Sequence, residues 1–279
     1  MFYERRIFVL VSNSLNMESS ILSPREIRRY AKQIMIPEIG LTGQEKLKQA
    51  KVLVIGAGGL GCPVLQYLTA AGIGKIGIAE FDTVDETNLQ RQVLYGSNDV
   101  GKLKSIIANE RLNHLNSYVE SEIFNLRCDS SNALDILKKY DVIVDATDNL
   151  DTRYIINDSC VILGKPMVHG AIYKYEGVIA VFNYKGGATY RCFNPEPAGK
   201  KFKNPLPAAV GLFGVLPGVV GTYMANEVIK VITETGDILS GKVLLINILY
   251  NTFDIHSVTN IPGNHNIKEL NPSAASRQH

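Results

Sequence analysis

The sequence predicts an α/β fold: a Rossmann-like, doubly wound, mostly parallel sheet with an antiparallel C-terminal extension. Three observations carry this reading. Short apolar runs, Lys51–Ile55 (KVLVI), Lys75–Ala79 (KIGIA) and Asp141–Ala146 (DVIVDA), alternate with helical stretches, and such unbroken runs mark parallel strands buried on both faces. A glycine-rich loop, Gly56-x-Gly58-x-x-Gly61, joins the first run to a helix. Beyond Gly170 the strands follow one another without helices between them, which indicates antiparallel pairing.

The elements follow in order. Ser23-Pro24-Arg25-Glu26 pairs a capping Ser with a Glu three residues on and puts Pro at the first helical position, so a helix starts there. It is expected to run to about Met35, before Pro37, with a short second helix over Gln44–Gln49. Pro63–Ala71 reads as the helix after the glycine loop. A polar loop, Thr83–Tyr95, leads to a helix over Val100–Leu115. Val119–Phe124 is a strand, Ala133–Tyr140 and Asp151–Leu163 are helices, and Pro166–His169 opens another strand. Gly177–Asn183 and Ala188–Arg191 read as strands, Gly199–Leu206 as a mobile basic loop and Lys242–Ile248 as the last strand. Between them a long helix over Val215–Thr235 is expected to stop at Gly236, since glycine is the preferred C-cap. One folded unit is expected over about 21–258, with a nucleotide-binding half at about 50–170 and the extension at about 171–250. Residues 1–20 and 259–279 read as tails, the second disordered.

A chain of 279 residues with net charge +2 has ample core and too little charge to indicate a nucleic-acid partner. No apolar run reaches the ~18–20 residues of a membrane helix, and Ile7–Val11 is short for a signal-peptide core, so a cytoplasmic protein with no membrane partner is expected. Cys62, Cys128, Cys160 and Cys192 are scattered without a C-x-x-C pair, which argues against a disulfide framework or a zinc knuckle.

The glycine loop sits where a phosphate site requires it. Its glycines allow close backbone approach, and the helix N-terminus behind it offers free N–H groups. Glu80 ends the next strand, 24 residues after Gly56, where an acid accepts from ribose hydroxyls. These features serve ATP and NAD alike. Three segments beyond the second strand discriminate between them: Asn88-Leu89-Gln90-Arg91-Gln92 in the loop, Lys104 in the first turn of the next helix, and Asp145-Ala146-Thr147-Asp148-Asn149 at a strand end. Two cations and a metal-binding carboxylate beside the phosphates suit nucleotidyl transfer, in which Arg91 and Lys104 offset leaving-group charge and Asp148 holds Mg²⁺. Asp145 reads as a strand-end cap.

With these residues in hand, RYAKQI, GAGGLGCP, FDTVDETNLQRQ, VGKLK, DATDN, YRCFNPEP and GVLPGVVGT together resemble the MoeB/ThiF family of ubiquitin-activating-enzyme-like adenylyltransferases, over about residues 23–250. The resemblance implies a homodimer that uses ATP and Mg²⁺ to adenylate the C-terminal glycine carboxylate of a small ubiquitin-like sulfur-carrier protein ending in Gly-Gly, in molybdopterin or thiamine biosynthesis. It further implies that Gly59 contacts the nucleotide, that Glu80 stands for the ribose-binding Asp, and that Thr87, Asn88, Leu89, Gln90 and Arg91 line the triphosphate. Lys104 contacts phosphate, Asp148 with Asn149 holds the metal, and Lys32 stands where the family has an Arg that reaches the partner subunit's ATP.

The chain departs from that pattern in four places. Glu80 adds a methylene to the ribose acceptor, and Lys32 cannot form the bidentate contact of an Arg. Where the family has two zinc-binding C-x-x-C pairs, this chain has Thr189-Tyr190-Arg191-Cys192 and no second pair; one cysteine cannot make a four-ligand site, so zinc is expected to be absent. The family's loop cysteine aligns with Pro207, so the reaction is expected to stop at the acyl-adenylate, with Cys192 the only nearby thiol. Two other readings stay open: adenylation of a short peptide in modified-peptide biosynthesis, and a non-catalytic nucleotide-binding partner. The basic run Lys200-Lys201-Phe202-Lys203 reads as a solvated linker or as a clamp for an acidic carrier.

Overall fold

The computed structural model describes residues 20–195 and 211–270. Both the basic run at Lys200 and Pro207 lie outside them. The glycine-loop half is built from α1 (Pro24–Ile34), α2 (Gly40–Gln49), β1 (Lys51–Ile55), α3 (Gly61–Ala71) and β2 (Lys75–Ala79). Next come α4 (Lys104–Leu115), β3 (Glu120–Phe124), α5 (Ala133–Leu137), β4 (Val142–Asp145), α6 (Leu150–Leu163) and β5 (Met167–Tyr173). The extension is β6 (Glu176–Phe182), α7 (Tyr190–Phe193), α8 (Leu216–Thr233), β7 (Lys242–Asn247) and β8 (Thr252–Ser257).

The eight strands form one sheet in the order β3-β2-β1-β4-β5-β6-β7-β8. Pairings from β3 to β5 are parallel, and those from β5 to β8 are antiparallel. Strand order therefore reverses between β1 and β4, and the crevice at their carboxyl ends is where open α/β sheets bind ligands. The alternation of side chains across the pleat sorts the core into two layers. Val52 and Val54 face α3 and α8 through Leu65, Leu68, Val220 and Met224. Leu53 and Ile55 face the other layer, with Leu137, Ile155, Phe182 and Tyr190.

Several local readings change. The Ala188–Arg191 segment is not a strand: Thr189 N-caps the short helix α7, and polar–aromatic alternation over four residues did not distinguish the two. The helix expected from Val100 begins at Lys104, because residues 97–99 form a 3₁₀ turn and Gly101 has φ +84°. α8 ends at Thr233 with Glu234 as its C-cap, which itself adopts the left-handed conformation at φ 58°, two residues before Gly236. β8 was not anticipated, since all six of its residues are exposed and show no burial alternation. Disorder was expected from residue 259, yet 259–270 are placed: Pro262–His265 is a 3₁₀ helix and Leu270 packs against the second core layer. Amide and backbone bonds to Gly186 and Cys192 fix the start of this segment and the Leu270 contact its end. Residues 1–19 and 271–279 lie outside the described residues.

Candidate active site

The glycine loop shows two kinds of glycine. Gly56 has φ +95°, and a Cβ there would lie 2.8 Å from the Ala146 carbonyl oxygen; at Gly61 a Cβ would lie 2.0 Å from the Gly56 oxygen. The fold itself excludes side chains at both. Gly58 differs: the nearest atom to a Cβ is Gln92 Nε2 at 3.6 Å, an ordinary contact. The space above Gly58 is therefore open on the ligand side, as a cradle for a phosphate would be. Among the described residues the N–H groups of Gly58, Gly59, Leu60 and Gly61 meet no acceptor. Orphan donors at a helix N-terminus attract an anion, so the loop fits a phosphate chain.

Glu80 clamps this loop. Its Oε2 accepts from Ala57 N at 2.9 Å, and its Oε1 accepts from Phe81 N and Asp82 N at 2.8 and 2.9 Å. A carboxylate has about four acceptor sites, so capacity for a ribose hydroxyl remains beside this structural duty. Tyr95 adds a second tie, donating to the Ala57 carbonyl at 2.8 Å.

The segment after β2 lies along the loop residue by residue. Thr87 and Asn88 belong to a 3₁₀ turn N-capped by Asp85. Leu89 packs against the core, and Gln90 meets Gly214. Arg91 passes Gly59, its Cδ 3.7 Å from where a Cβ would be, and its Nη1 donates to the Thr87 carbonyl at 3.0 Å. Gln92 is buried against Gly58, and its Oε1 has no partner among the described residues. A buried unsatisfied amide oxygen costs about 1–3 kcal/mol, which makes Gln92 a residue awaiting a donor at the loop. Lys104, at the first position of α4, is buried with Nζ 3.5 Å from Asp82 Oδ2. Its charge also acts on the Cys62 thiol in the first turn of α3, so Lys104 and the loop share one locale.

Asp148 presents an exposed carboxylate with no ion pair among the described residues, and both of its neighbours are pinned. Thr147 donates N–H and Oγ1–H to Asp145 Oδ1 at 3.0 and 2.6 Å, while its carbonyl accepts from Arg153 Nη2 at 2.8 Å. Asn149 N-caps α6 through Thr152 N at 2.9 Å. Asp145 is fully buried and is also bonded to His169 Nδ1 at 2.7 Å. Burial raises the Asp145 carboxyl, but His169, Arg153 and Thr147 outweigh it and hold the pKa below the ordinary carboxylate value. Burial likewise pushes His169 below 6.5, only partly opposed by Asp145. The pair is thus an ionised carboxylate receiving a bond from a neutral imidazole. Asp145 is a strand-end cap as read from the sequence; His169, Thr147, Arg153 and Gln92 were not given roles there.

Lys32 is not brought to this site. Its helix α1 packs at the far end of α3, where the Tyr30 ring covers Gly72, Asn116 Nδ2 donates to Tyr30 Oη at 2.8 Å, and Gln33 reaches the Ala71 carbonyl. The 11 residues of α3 separate the two by about 16 Å.

A protein-family model described as the ThiF family matches residues 30–266. The chain belongs to the ThiF family. It is 48% identical over 239 residues to a sulfur carrier protein adenylyltransferase of Thermus thermophilus, covering 82% of this chain and 86% of that protein. It is 45% identical to a probable molybdopterin-synthase adenylyltransferase of Porphyra purpurea, with 83% and 61% covered. With the probable adenylyltransferase/sulfurtransferase MoeZ of Mycobacterium tuberculosis it shares 43% identity, with 90% and 65% covered. This ThiF-family chain therefore spans less than two thirds of the length of those last two relatives. Its fold matches crystal structures of E. coli MccB with MccA-N7isoASN (TM-score 0.75, 23% identity, 85% of this chain and 73% of that one) and of PaaA (TM-score 0.74, 23% identity, 87% and 76%). As a ThiF-family member it is an adenylyltransferase, and ATP is its nucleotide.

The cysteines sort by burial. It pushes the Cys62 and Cys128 thiols up to about 12 and raises Cys160 well above its ordinary value, so these three are inert core groups. Cys192 sits at the start of the extension's C-terminal contact. Burial raises its pKa, but bonds from Thr189, Asn264 and the Ile261 N–H bring it below the ordinary value. Those contacts, at 3.3–3.4 Å, tie residues 261–264 to α7. Among the described residues no helix is long and apolar enough to cross a membrane.

Proposed function

We propose that this chain adenylates the C-terminal glycine carboxylate of a small ubiquitin-like sulfur-carrier protein ending in Gly-Gly, releasing pyrophosphate. The observation that carries this reading is a glycine loop with free N–H groups that has Arg91 passing Gly59 and the Ala146–Thr147 backbone, next to Asp148, against Gly56; Lys104, buried beside Asp82, supports it. A hydride-transfer site has no use for that set, and the names of the relatives supply the acceptor class. The free N–H groups of Gly58 to Gly61 hold phosphate oxygens, and Glu80 takes the ribose diol. Arg91 and Lys104 offset the charge that grows on the leaving pyrophosphate as the carboxylate attacks the α-phosphate in line. Asp148, exposed and flanked by fixed residues, suits Mg²⁺, with Asn149 beside it; a bound Mg²⁺ would neutralise phosphate charge there.

The distance of Lys32 from its own loop supports a homodimer in which it serves the partner subunit's nucleotide. The reaction stops at the acyl-adenylate, zinc plays no part, and the enzyme works in the cytoplasm. ATP–pyrophosphate exchange with a carrier ending in Gly-Gly tests the reading. Exchange that requires both the carrier and its terminal glycine is expected. Exchange with a short peptide but no carrier would move the substrate class. ATP binding without exchange for any acceptor would make the protein a non-catalytic partner.

A further inference from the structure

We propose that His169 is a positioning residue for the adenylation site: through Asp145 it fixes Thr147, and thereby the placement of the Asp148 carboxylate. The inference rests on the adenylyl-transfer reading of Asp148, but its structural half is independent of that reading.

His169 lies on β5 directly opposite Asp145 on β4, in parallel register. Both side chains are buried, His169 at 1% and Asp145 at 0% exposure. The imidazole is held from its other sides by the Phe182 and Tyr190 rings, with centroids at 5.9 and 5.0 Å. It has one orientation, with Nδ1–H aimed at Asp145 Oδ2 at 2.7 Å. That bond leaves Asp145 Oδ1 free to take both donors of Thr147.

All three hydrogen-bonding groups of Thr147 are then engaged, its carbonyl by Arg153. The next residue is Asp148, whose own carboxylate has no ion pair among the described residues to hold it. Its position is therefore set by its neighbours, and His169 anchors the far end of the chain of bonds that sets it. Without the Nδ1–H donor, the buried Asp145 carboxylate would turn to recover a partner and release one or both bonds to Thr147, since a buried charge cannot stay unpaired cheaply.

Among the described residues the imidazole makes no hydrogen bond to a loop glycine, Arg91 or Lys104, so its loss should act on turnover and not on ATP binding. A purely space-filling role predicts something different. Any residue of lower volume would then harm the protein through packing, and asparagine would be no better than leucine.

The test uses His169→Asn, which keeps an N–H donor near the Nδ1 position, and His169→Leu, which fills the space without one. Amide hydrogen exchange in the absence of ATP is read at Thr147, and pyrophosphate exchange and ATP affinity are read in parallel. The Thr147 N–H should be protected in wild type and in His169→Asn, and should exchange about tenfold faster in His169→Leu. kcat should fall about tenfold or more in His169→Leu, with ATP Kd within about twofold, and should return to within about threefold of wild type in His169→Asn.

Equal Thr147 protection in all three proteins, or equal impairment of both variants, would overturn the proposal. If His169→Leu does not fold, Thr147→Val removes one donor from the same carboxylate at a half-buried position; unchanged kcat in that variant also counts against the proposal. The exchange measurement at Thr147 needs no substrate. Its outcome therefore stands apart from whether a sulfur carrier proves to be the acceptor.

Discussion

In the parallel half, β1 is buried from Val52 to Ile55 on both faces, whereas in the extension all six residues of β8 are exposed. The first region spends its surface on one crevice, where the ends of β1, β2 and β4 deliver the glycine loop, Glu80 and the Asp145–Asn149 turn. The second region ends in an open sheet edge with Tyr250, Phe253 and Ile255 at 73%, 51% and 62% exposure. Rigid placement of charge thus comes from strands that cannot shift without unpacking two core layers. The edge carries no group that the nucleotide needs, so the two regions should respond separately to mutation.

Loop substitutions give the largest expected effect. Gly61→Ala drives a Cβ into the Gly56 carbonyl at 2.0 Å and should cost roughly 3 kcal/mol or more of stability, read as a collapse in Tm. Gly58→Ala, with ordinary contacts, should leave Tm within a degree or two while weakening ATP about tenfold in calorimetry, because its Cβ occupies phosphate space. If both variants merely lower Tm together, the loop is a packing turn and nothing more.

Charge removal comes next. Arg91→Ala and Asp148→Ala should each lower kcat by about 10²–10³ without a change in Tm. Neither side chain holds core together, so a matching loss of stability would assign them a structural role.

Acid should separate the regions more gently. Because burial holds His169 below its ordinary 6.5, the unfolded chain takes up the proton first, and stability falls as pH drops below about 6.5. Asp145, with its pKa lowered, adds a loss of the same sign only at the acid end, below the ordinary carboxylate value. Tm measured from pH 7.5 to 5 should therefore decline, and more shallowly in His169→Asn. A parallel decline in both proteins would show that other groups dominate this window.

The smallest effect belongs to the edge. Ile255→Thr should shift stability by no more than about 0.5 kcal/mol, with ATP affinity and Tm essentially unchanged. A large stability loss would mean that the edge is more tightly integrated than its exposure indicates.

The sequence made the parallel half legible because its signals are local. Apolar runs, the glycine spacing and a capping box each act within a few residues, and Arg91, Lys104 and Asp148 sit at fixed offsets from strand ends. The extension was less legible. β8 pairs through its backbone while its side chains stay in water, and α7 is too short for a periodic pattern. Residues 259–270 are held by Cys192, Gly186 and amide contacts that polar composition does not announce. His169 was missed for a related reason, since its partner is 24 residues away and only strand register brings the two together. The position of Lys32 likewise needed the packing of α1 on the far end of α3.

Carrier-dependent ATP–pyrophosphate exchange tests the central claim most directly, with wild type and Asp148→Asn compared at saturating ATP. Wild type should exchange only when a carrier with its terminal Gly-Gly is present, and Asp148→Asn should show near-background exchange with ATP still bound. Exchange that persists undiminished in Asp148→Asn, or wild type that binds ATP and exchanges with no carboxylate acceptor, would contradict that claim.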